Sequence, residues 1–433
     1  MTLRLRTQDE ALNLLPKLTD YEMKIIVVQL GARHRYAVPR LLHQAGCLEA
    51  LYTDSNGSYG AGSLLGGLPP SLLPQPALRL RQRRILGLPA AAVRCTDMLM
   101  PLDSLLRRFS RSEFDFYRRR DRIFSHALAR WGFGQATMIY SMFGEGWSFI
   151  EAAKRRGLKI ALDMFVNPIT HRIVEKERQA FPEWEAPENA SFDVLERDVD
   201  TRIALADLLL CPADAVVDGM RCYPSFAEEK IRVVPYGFAG DAQPRGFKPV
   251  RRRILFGGAA TLRKGIHYFA RAAELLSRDA PSYEFRVAGP ATQIVRGRPE
   301  CRFLKFLGPL TRADFLAEME AADVFVLPTL AEGSATVIYE SLALGVPVVT
   351  TRSAGSVITN GKEGRIIPER DSTALADAIA EITADRELRD AMSIAAICTA
   401  GEFSEAKWGE RLISALQSVP QPIYENGIRS TYE

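Results

Sequence analysis

Glu332 and Glu340 lie eight positions apart in the segment AEGSATVIYESLALG (331–345), on either side of a run of small and hydroxyl-bearing residues. The segment follows the apolar run DVFVLP (323–328) and precedes VPVVTT (346–351), a pattern that predicts strand, loop, helix and strand. The first turn of such a helix presents unpaired N–H groups and the positive end of the helix dipole, which favour phosphate oxygens. A carboxylate before the helix and another two turns along can both accept hydrogen bonds from sugar hydroxyls. The pattern therefore indicates a long ligand with sugar, diphosphate and nucleoside in that order.

A basic turn in the same half of the chain could neutralise that diphosphate. The apolar run RRILFGGA (252–259) is followed by Arg263 and Lys264, and Gly265 begins the next predicted helix. Two cations at the carboxyl end of a strand would stabilise a diphosphate leaving group. Taken singly, each feature also has a structural interpretation, as a helix-stabilising Glu332 or a solvated Arg–Lys pair. Their occurrence at strand ends of the same half of the chain favours the ligand site.

The elements that must position these residues alternate between strands and helices in two stretches. Buried parallel strands are predicted first at KIIVVQL, ATMIYSMFG, LKIALDMF, ADLLLCPAD and KIRVVPYG, and then at RRILFGGA, EFRVAGP, RFLKFLGPL, DVFVLP and VPVVTT. The intervening 238–253 is rich in Gly, Pro and basic residues, which predicts a linker. We therefore expect two doubly wound, Rossmann-like α/β domains that face each other across a cleft, at residues 1–240 and 250–403. An amphipathic helix within 404–433 is expected to cross back onto the first domain.

Composition narrows the class of protein. The chain has 433 residues, 47% of them apolar and 25% charged, which is typical of a folded protein with more than one core. Its net charge of +4 gives no reason to expect a nucleic-acid partner. Residues 79–122 hold twelve Arg and five acidic residues, which fits an anionic membrane surface, an acidic acceptor or simply a solvated pair of helices.

Targeting and metal signals are weak. The start MTLRLRTQDE has no secretory pattern, and no apolar run reaches the ~20 residues needed to span a bilayer. We therefore expect a cytoplasmic protein that could contact the inner face of the membrane peripherally. The six cysteines show no metal-ligand spacing, and the two acids of the D-x-D at 198–200 would point in different directions from one helix. We predict that the protein needs no metal and no other cofactor.

Four segments together resemble a known family: GGAATLRKGIHYFARAAELL, FLGPLTRADFLAEMEAADVFVLPTLAEGSATVIYESLALGVPVVTT, NGKEGRIIPERD and KIRVVPYG. The chain looks like a retaining family 4 glycosyltransferase (glycosyl transferases group 1) with the GT-B fold, closely over 230–410 and in outline over 24–229. The resemblance implies a hexosyltransferase that moves a sugar from a nucleotide diphosphate sugar to a hydroxyl of a glycan, lipid-linked or small-molecule acceptor, with retention of anomeric configuration. Uridine and guanosine diphosphates are the common nucleotides of such enzymes, and polysaccharide biosynthesis is a plausible setting.

The resemblance also implies residue roles. Arg263 and Lys264 would bind the diphosphate and form the catalytic group with Glu332, which contacts the transferred sugar. Glu340 would contact the ribose, and the loop ending at Leu310 would meet the base. Many members carry an arginine where this chain has Ala259, so Arg263 is expected to substitute. The expected donor-binding set is Gly258, Leu310, Gly333, Ser334, Ala335, Thr336, Val337 and Glu340.

Five residues of the first domain are candidates for the acceptor side: Gly31, His34, Asp163, Asn167 and His171. They follow predicted strands, and Asp163 stands where many relatives have a histidine. Such groups could orient an acceptor hydroxyl or take its proton. The competing interpretation is that Asp163 caps the following segment and His171 is a surface residue.

Three other functions remain open for this fold. A nucleotide-sugar epimerase needs an acid and a base around the sugar, and a glycan phosphorylase needs a cofactor lysine; the sequence shows neither set. A catalytically weak nucleotide-sugar-binding scaffold is the third, and turnover of a donor would exclude it.

Overall fold

The computed structural model describes residues 23–69, 72–73, 75–97, 99–110, 113–188, 192–238, 249–279 and 282–420. Most of the predicted linker and the ends of the predicted domains at 1–22 and 421–433 lie outside these residues.

The first domain is a seven-stranded parallel sheet with helices on both faces. Its strands are β1 Ile25–Gln29, β2 Leu48–Asp54, β3 Val93–Thr96, β4 Met138–Met142, β5 Lys159–Asp163, β6 Leu208–Cys211 and β7 Ile231–Val233. Its α-helices are α1 Ala37–Gln44, α2 Gln75–Gln82, α3 Leu99–Phe109, α4 Glu113–Trp131, α5 Trp147–Arg155, α6 Thr170–Ala180, α7 Asp193–Leu205 and α8 Asp214–Met220. The strand order is β3-β2-β1-β4-β5-β6-β7.

The second domain repeats this plan with a six-stranded parallel sheet. Its strands are β8 Arg253–Gly257, β9 Glu284–Ala288, β10 Leu304–Gly308, β11 Val324–Leu327, β12 Val348–Thr351 and β13 Gly364–Ile367. Its helices are α9 Ile266–Asp279, α10 Gln293–Arg296, α11 Arg312–Glu320, α12 Thr336–Ala343, α13 Ser372–Ala384 and α14 Arg386–Glu402. The order is β10-β9-β8-β11-β12-β13, so the chain changes direction beside β8, as it does beside β1 in the first sheet. Ligands of such sheets bind at these switch points.

The prediction of two doubly wound α/β domains is confirmed. All ten predicted strands are present, because each is an apolar run; eight of them are largely buried, and β7 and β10, at the sheet edges, are partly exposed. The sequence analysis missed β2, β3 and β13. The segments LEALYTD, VRCT and GRII mix polar and apolar residues, and β3 and β13 are short edge strands with one face partly exposed.

A final helix, α15 Glu405–Gln417, returns from the second domain to pack on the first. Trp408, Leu412 and Leu416 on this helix are buried in the same apolar cluster as Leu41 of α1. The guanidinium of Arg40 pairs with the carboxylate of Glu405 at the start of α15, with Nε 2.9 Å from Oε1.

Residues of the first domain also pack against the second domain; they belong to α6 and the segment that follows it. Trp184 is buried in the apolar core of the second domain. The Glu177 carboxylate is also buried, and it accepts hydrogen bonds from the Tyr268 hydroxyl at 2.5 Å and from Arg370 Nε at 2.8 Å. The two domains are thus tied by apolar burial and by a buried charged cluster.

Trp184→Ala tests the apolar part of this tie. Removing a buried indole leaves a cavity, so we expect the free energy of unfolding to fall by roughly 3–5 kcal/mol, measured by urea denaturation with far-UV circular dichroism. The control is Ile294→Ala, since Ile294 is 62% exposed and its truncation should change stability by less than about 0.5 kcal/mol. A Trp184→Ala effect as small as that of the control would contradict the packing role.

Candidate functional site

The predicted basic turn and the predicted acidic loop are in direct contact. After β8 the chain turns through Arg263, and the Arg263 carbonyl oxygen accepts hydrogen bonds from the Leu330 N–H at 2.8 Å and the Thr329 hydroxyl at 2.9 Å. Gly265 has a φ of +75°, and a Cβ there would lie 2.0 Å from the Pro328 carbonyl oxygen. This approach of the two segments therefore requires a glycine.

Glu332 holds both cations of the turn. Its Oε1 lies 2.5 Å from Arg263 Nη1 and 2.5 Å from Lys264 Nζ, and Arg263 Nη1 also donates to the Ala331 carbonyl oxygen at 2.8 Å. Burial lowers the pKa of Lys264, while the neighbouring Glu332 carboxylate acts in the opposite direction. One carboxylate shared by two cations leaves an excess positive charge, which suits an anionic ligand.

The start of α12 offers backbone donors beside this charge. The N–H groups of Glu332 and Ala335 donate to the carbonyl oxygens of Ser353 and Ala354, each at 3.0 Å. Within the described part of the chain, the other amides of this turn have no protein acceptor; they are those of Gly333, Ser334, Thr336 and Val337. Unpaired amides at a helix start are the donors that phosphate oxygens take.

The side chain of Ser334 has a structural role. Its hydroxyl donates to the Gly355 carbonyl oxygen at 2.7 Å and pairs with the Tyr339 hydroxyl at 2.9 Å. Beside it, Gly333 touches the first domain, because a Cβ there would lie 2.0 Å from the Phe165 carbonyl oxygen. The loop before α12 therefore lies at the domain interface and could not accommodate a larger residue at Gly333.

Glu340 lines a cavity of 480 Å³ between the domains. Its Oε1 pairs with Arg312 Nη1 at 2.6 Å, and Arg312 lines the same cavity. Glu340 Oε2 and Arg312 Nε are buried and have no hydrogen-bond partner among the described residues. The pair therefore keeps a donor and an acceptor for a ligand, and Arg312 is a residue that the sequence analysis missed.

Two predicted donor-side residues border this region through the backbone. Gly258 follows β8 with a φ of +128°, and a Cβ there would lie 3.6 Å from Lys264 Cε. Leu310, two residues beyond β10, packs partly buried against the second core.

His34 lines the first-domain wall of the 480 Å³ cavity. It belongs to a short 3₁₀ turn, Arg33–Tyr36, in which His34, Arg35 and Tyr36 all have positive φ, at 46°, 52° and 59°. The imidazole packs against the rings of Tyr236 and Trp408, with centroids 4.2 Å and 5.2 Å away, and these two rings also contact each other. Burial lowers the pKa of His34 to about 4, so the ring is neutral near pH 7. Non-glycine residues with positive φ are strained, and such strain concentrates at functional sites.

Asp163 is buried, and both of its carboxylate oxygens accept hydrogen bonds from protein groups. One oxygen accepts from the Tyr236 hydroxyl at 2.9 Å and the other accepts from the Tyr140 hydroxyl. Burial raises the pKa of Asp163 to about 6, although the two hydroxyls and the charge of Arg33 oppose that shift. With both oxygens engaged, Asp163 supports Tyr236 in the cavity wall.

Asn167 and His171 line a different cavity, of 350 Å³, that shares no described lining residue with the 480 Å³ cavity. Asn167 Nδ2 donates to the Ala215 carbonyl oxygen at 2.9 Å, and His171 Nε2 lies 3.1 Å from Glu196 Oε1. The structure therefore places Asn167 and His171 apart from His34. Gly31 has a φ of +72°, and its N–H donates to Asp54 Oδ1 at 2.7 Å.

The largest of these cavities, 890 Å³, lies at the carboxyl ends of β1, β2 and β4, and Gly31 lines it. The sequence analysis missed two of its acids, Asp54 and Glu145, although Asp54 is the last residue of β2 and FGEG directly follows β4. Burial raises the pKa of Glu145 to about 7, and Arg33 partly offsets the shift. In the described part of the chain, no group of three or more His, Cys, Asp or Glu side chains is placed to hold a metal ion.

Two doubly wound domains that meet at a cleft with a basic turn and an amide-rich helix start define the GT-B class of protein. Residues 251–385, which make up most of the second domain, match the family model described as glycosyl transferases group 1. The predicted resemblance is confirmed.

Relatives and solved structures agree with this assignment. The chain is 29% identical over 189 residues to D-inositol 3-phosphate glycosyltransferase of Corynebacterium urealyticum (40% of the chain, 44% of the relative). It is 30% identical over 180 residues to glycogen synthase of Mycobacterium tuberculosis (36% of the chain, 44% of the relative). The chain thus spans less than half the length of either relative.

The fold is shared over nearly the whole chain. Sucrose-phosphate synthase from Thermosynechococcus elongatus superposes with a TM-score of 0.66 at 15% identity, over 92% of this chain and 98% of that one. Anabaena HepE, in complex with UDP and glucose, superposes with a TM-score of 0.62 at 15% identity, over 92% and 100%.

A pH series tests the buried state of Asp163. In the unfolded chain a carboxyl of this type titrates near pH 4, and in the folded protein near pH 6. Between these values the unfolded chain has lost a proton that the folded protein keeps, so this group makes stability fall as pH rises. The stability of wild type relative to Asp163→Asn should therefore drop by on the order of 3 kcal/mol from pH 4 to pH 7, in urea denaturation. A difference that is constant with pH would contradict this assignment.

Proposed function

We propose that the protein is a hexosyltransferase that moves a sugar from a nucleotide diphosphate sugar to an acceptor hydroxyl with retention of anomeric configuration. The observation that carries the proposal is the contact between the Arg263–Lys264 turn and the loop that begins α12. A diphosphate can reach two cations and several unpaired amides there at once.

Arg263 and Lys264 bind the diphosphate and stabilise the charge that develops on it as it leaves. The two cations are fixed by Glu332 and by backbone contacts before the ligand arrives, so little reorganisation is needed. When the diphosphate takes over the cations, Glu332 becomes available to the hydroxyls of the transferred sugar. The amides of Gly333 to Val337 hold phosphate and sugar oxygens.

The nucleoside occupies the region around Glu340. Its free Oε2 accepts from a ribose hydroxyl, and backbone groups near Leu310 contact the base. HepE was solved with UDP and glucose, which supports a nucleotide of this kind for a shared fold.

Retention is assigned to attack from the face that the diphosphate leaves. The bond from the anomeric carbon to the phosphate oxygen breaks, the bond to the acceptor oxygen forms, and the acceptor proton passes to the diphosphate. Neither Asp163 nor Glu332 is assigned to the anomeric carbon, because Asp163 is engaged by two tyrosine hydroxyls and Glu332, once released, by hydroxyls of the transferred sugar. The same engagement disfavours an epimerase, which needs a free acid and base at the sugar. Because Arg263 and Lys264 supply the positive charge, the proposal includes no metal or other cofactor.

Lys264→Ala tests the assignment. Loss of one preorganised cation should lower turnover by about 10²–10³, measured as release of UDP or GDP from UDP- and GDP-sugars in the presence of candidate acceptors. The fold should persist, because Arg263 still pairs with Glu332.

The matched control is Lys305→Ala, since Lys305 is an exposed lysine of β10 in the same domain. Unchanged turnover in Lys264→Ala, or an equal loss in Lys305→Ala, would contradict the role of the turn. Binding of a donor without turnover of any donor would favour a binding scaffold.

For the membrane partner, we propose that the surface around α3 contacts an anionic bilayer. Leu105 and Phe109 are 52% and 64% exposed, and they lie one turn apart on one face of α3. Further exposed apolar residues of the first domain are Leu64, Leu68, Leu72 and Leu86. The exposed Arg107 and Arg108 of α3 add positive charge, which suits anionic lipid headgroups. No helix in the described ranges is long and apolar enough to cross a bilayer.

Vesicle flotation tests this contact. The wild type should float with phosphatidylglycerol vesicles and stay unbound with phosphatidylcholine vesicles, and Leu105→Ser with Phe109→Ser should reduce the bound fraction at least threefold. The control double variant, Ile294→Ser with Ile394→Ser, removes residues that are 62% and 66% exposed in the second domain. Equal loss in both double variants would argue against a surface at α3.

A further inference from the structure

The 890 Å³ cavity of the first domain adjoins the 480 Å³ cavity at the domain interface. Arg33 and Phe165 line both of them, and the Arg33 guanidinium lies 3.8 Å from the centroid of the Phe165 ring. A molecule in the larger cavity can therefore extend past Arg33 toward the donor side. This volume is in the range of sites that enclose small molecules.

Charged side chains of both signs line the larger cavity. Among the described residues, the arginines are Arg33, Arg83, Arg118, Arg120, Arg122 and Arg202, and the carboxylates are those of Asp54, Asp121, Glu145, Glu151 and Asp198. Three of these carboxylates are held by backbone amides of the surrounding structure. More guanidinium groups than carboxylates are therefore available to bind a ligand.

Asp54 accepts from the Gly31 N–H at 2.7 Å and pairs with Arg120 Nη2 at 3.2 Å and Arg83 Nη1 at 3.5 Å. Asp54 holds two arginines at the cavity, and these pairs neutralise its own negative charge. Each arginine retains further N–H groups, because a guanidinium has five donors.

The carboxylates of Asp121 and Glu145 also accept hydrogen bonds from backbone N–H groups. Asp121 accepts from the Gly146 and Trp147 N–H groups at 2.6 Å and 3.1 Å, and so stabilises the start of α5. Glu145 accepts from the Leu30 N–H at 2.5 Å and pairs with Arg33 Nη2 at 3.2 Å.

Two of the described arginines at this cavity are exposed to solvent, and both lie on α4. Arg118 and Arg122 are one turn apart, both exposed and both lining the cavity, which places them on the face of α4 that borders it. Aromatic rings at Phe143, Trp147 and Phe165 line the same space. Flat rings beside guanidinium groups suit a pyranose, which has an apolar C–H face, when it also carries an anion.

We propose that this cavity binds the acceptor, and that the acceptor is a saccharide with an anionic substituent, a phosphate or a carboxylate. That the bound saccharide is the acceptor of the transfer rests on the proposed function. The recognition of an anionic saccharide rests on the cavity itself, and the two parts can fail separately.

Calorimetric titration of the full chain tests the recognition, with glucose 6-phosphate, glucuronic acid and glucose as probes. We expect at least one of the two anionic sugars to bind at least tenfold more tightly than glucose, and the one that does identifies phosphate or carboxylate. Arg122→Gln should weaken that binding at least fivefold. Arg119→Gln is the matched control on the same helix, because Arg119 pairs with Asp115 and does not line the cavity; its affinity should stay within twofold of wild type.

Three results would overturn the inference. Glucose could bind as tightly as both anionic sugars, Arg119→Gln could lose as much affinity as Arg122→Gln, or inorganic phosphate alone could bind as tightly as glucose 6-phosphate. UDP and GDP are titrated into the same wild-type sample. If an anionic sugar binds through Arg122 but neither nucleotide binds, the proposed transfer fails while the anionic-saccharide site stands. If a nucleotide binds and no anionic sugar does, the transfer stands and this inference fails.

Discussion

The site depends on one carboxylate that two cations share. Glu332 stands at the end of β11, and Arg263 and Lys264 stand at the end of β8, the neighbouring strand of the same sheet. Without Glu332, two adjacent cations would repel each other in a partly buried turn. The carboxylate holds them together in the absence of ligand and still leaves an excess positive charge. The same ion pair thus stabilises the loop, and in the proposed function a diphosphate replaces the carboxylate.

The position of this turn relative to the first domain is set by contacts that arrive from both sides. Glu185, next to the buried Trp184, accepts from the Leu262 N–H at 2.7 Å, directly before Arg263. On the opposite side, Gly333 touches the Phe165 backbone, and α15 holds the first domain against the second. A first-domain carboxylate therefore contacts the basic turn itself. A movement of the domains that breaks this hydrogen bond would therefore change the surroundings of the basic turn.

The sequence predicted those features that depend on a local pattern of residues. Apolar runs predicted the buried strands, and parallel strands place their carboxyl ends at one edge, so Lys264 and Glu332 could be predicted to lie close together. Prediction from the sequence failed where a role depends on distant partners. Asp163 ends a strand, as an acceptor-binding residue would, but Tyr140 and Tyr236 occupy its oxygens. The sequence analysis did not single out Arg312, and only the fold brings it to Glu340.

The acidic side chains on the two walls of the cleft have different partners, and this difference distinguishes the ligands that we propose for the two walls. In the second domain Glu332 and Glu340 each face a cation that a ligand can displace or share. In the first domain three of the acids beside the large cavity accept from backbone amides, which a ligand cannot replace without breaking the fold. Carboxylates held in that way keep the arginines in place and do not compete for the ligand. A cleft built so would hold an anionic nucleotide on one wall and an anionic saccharide on the other, with Arg33 between them.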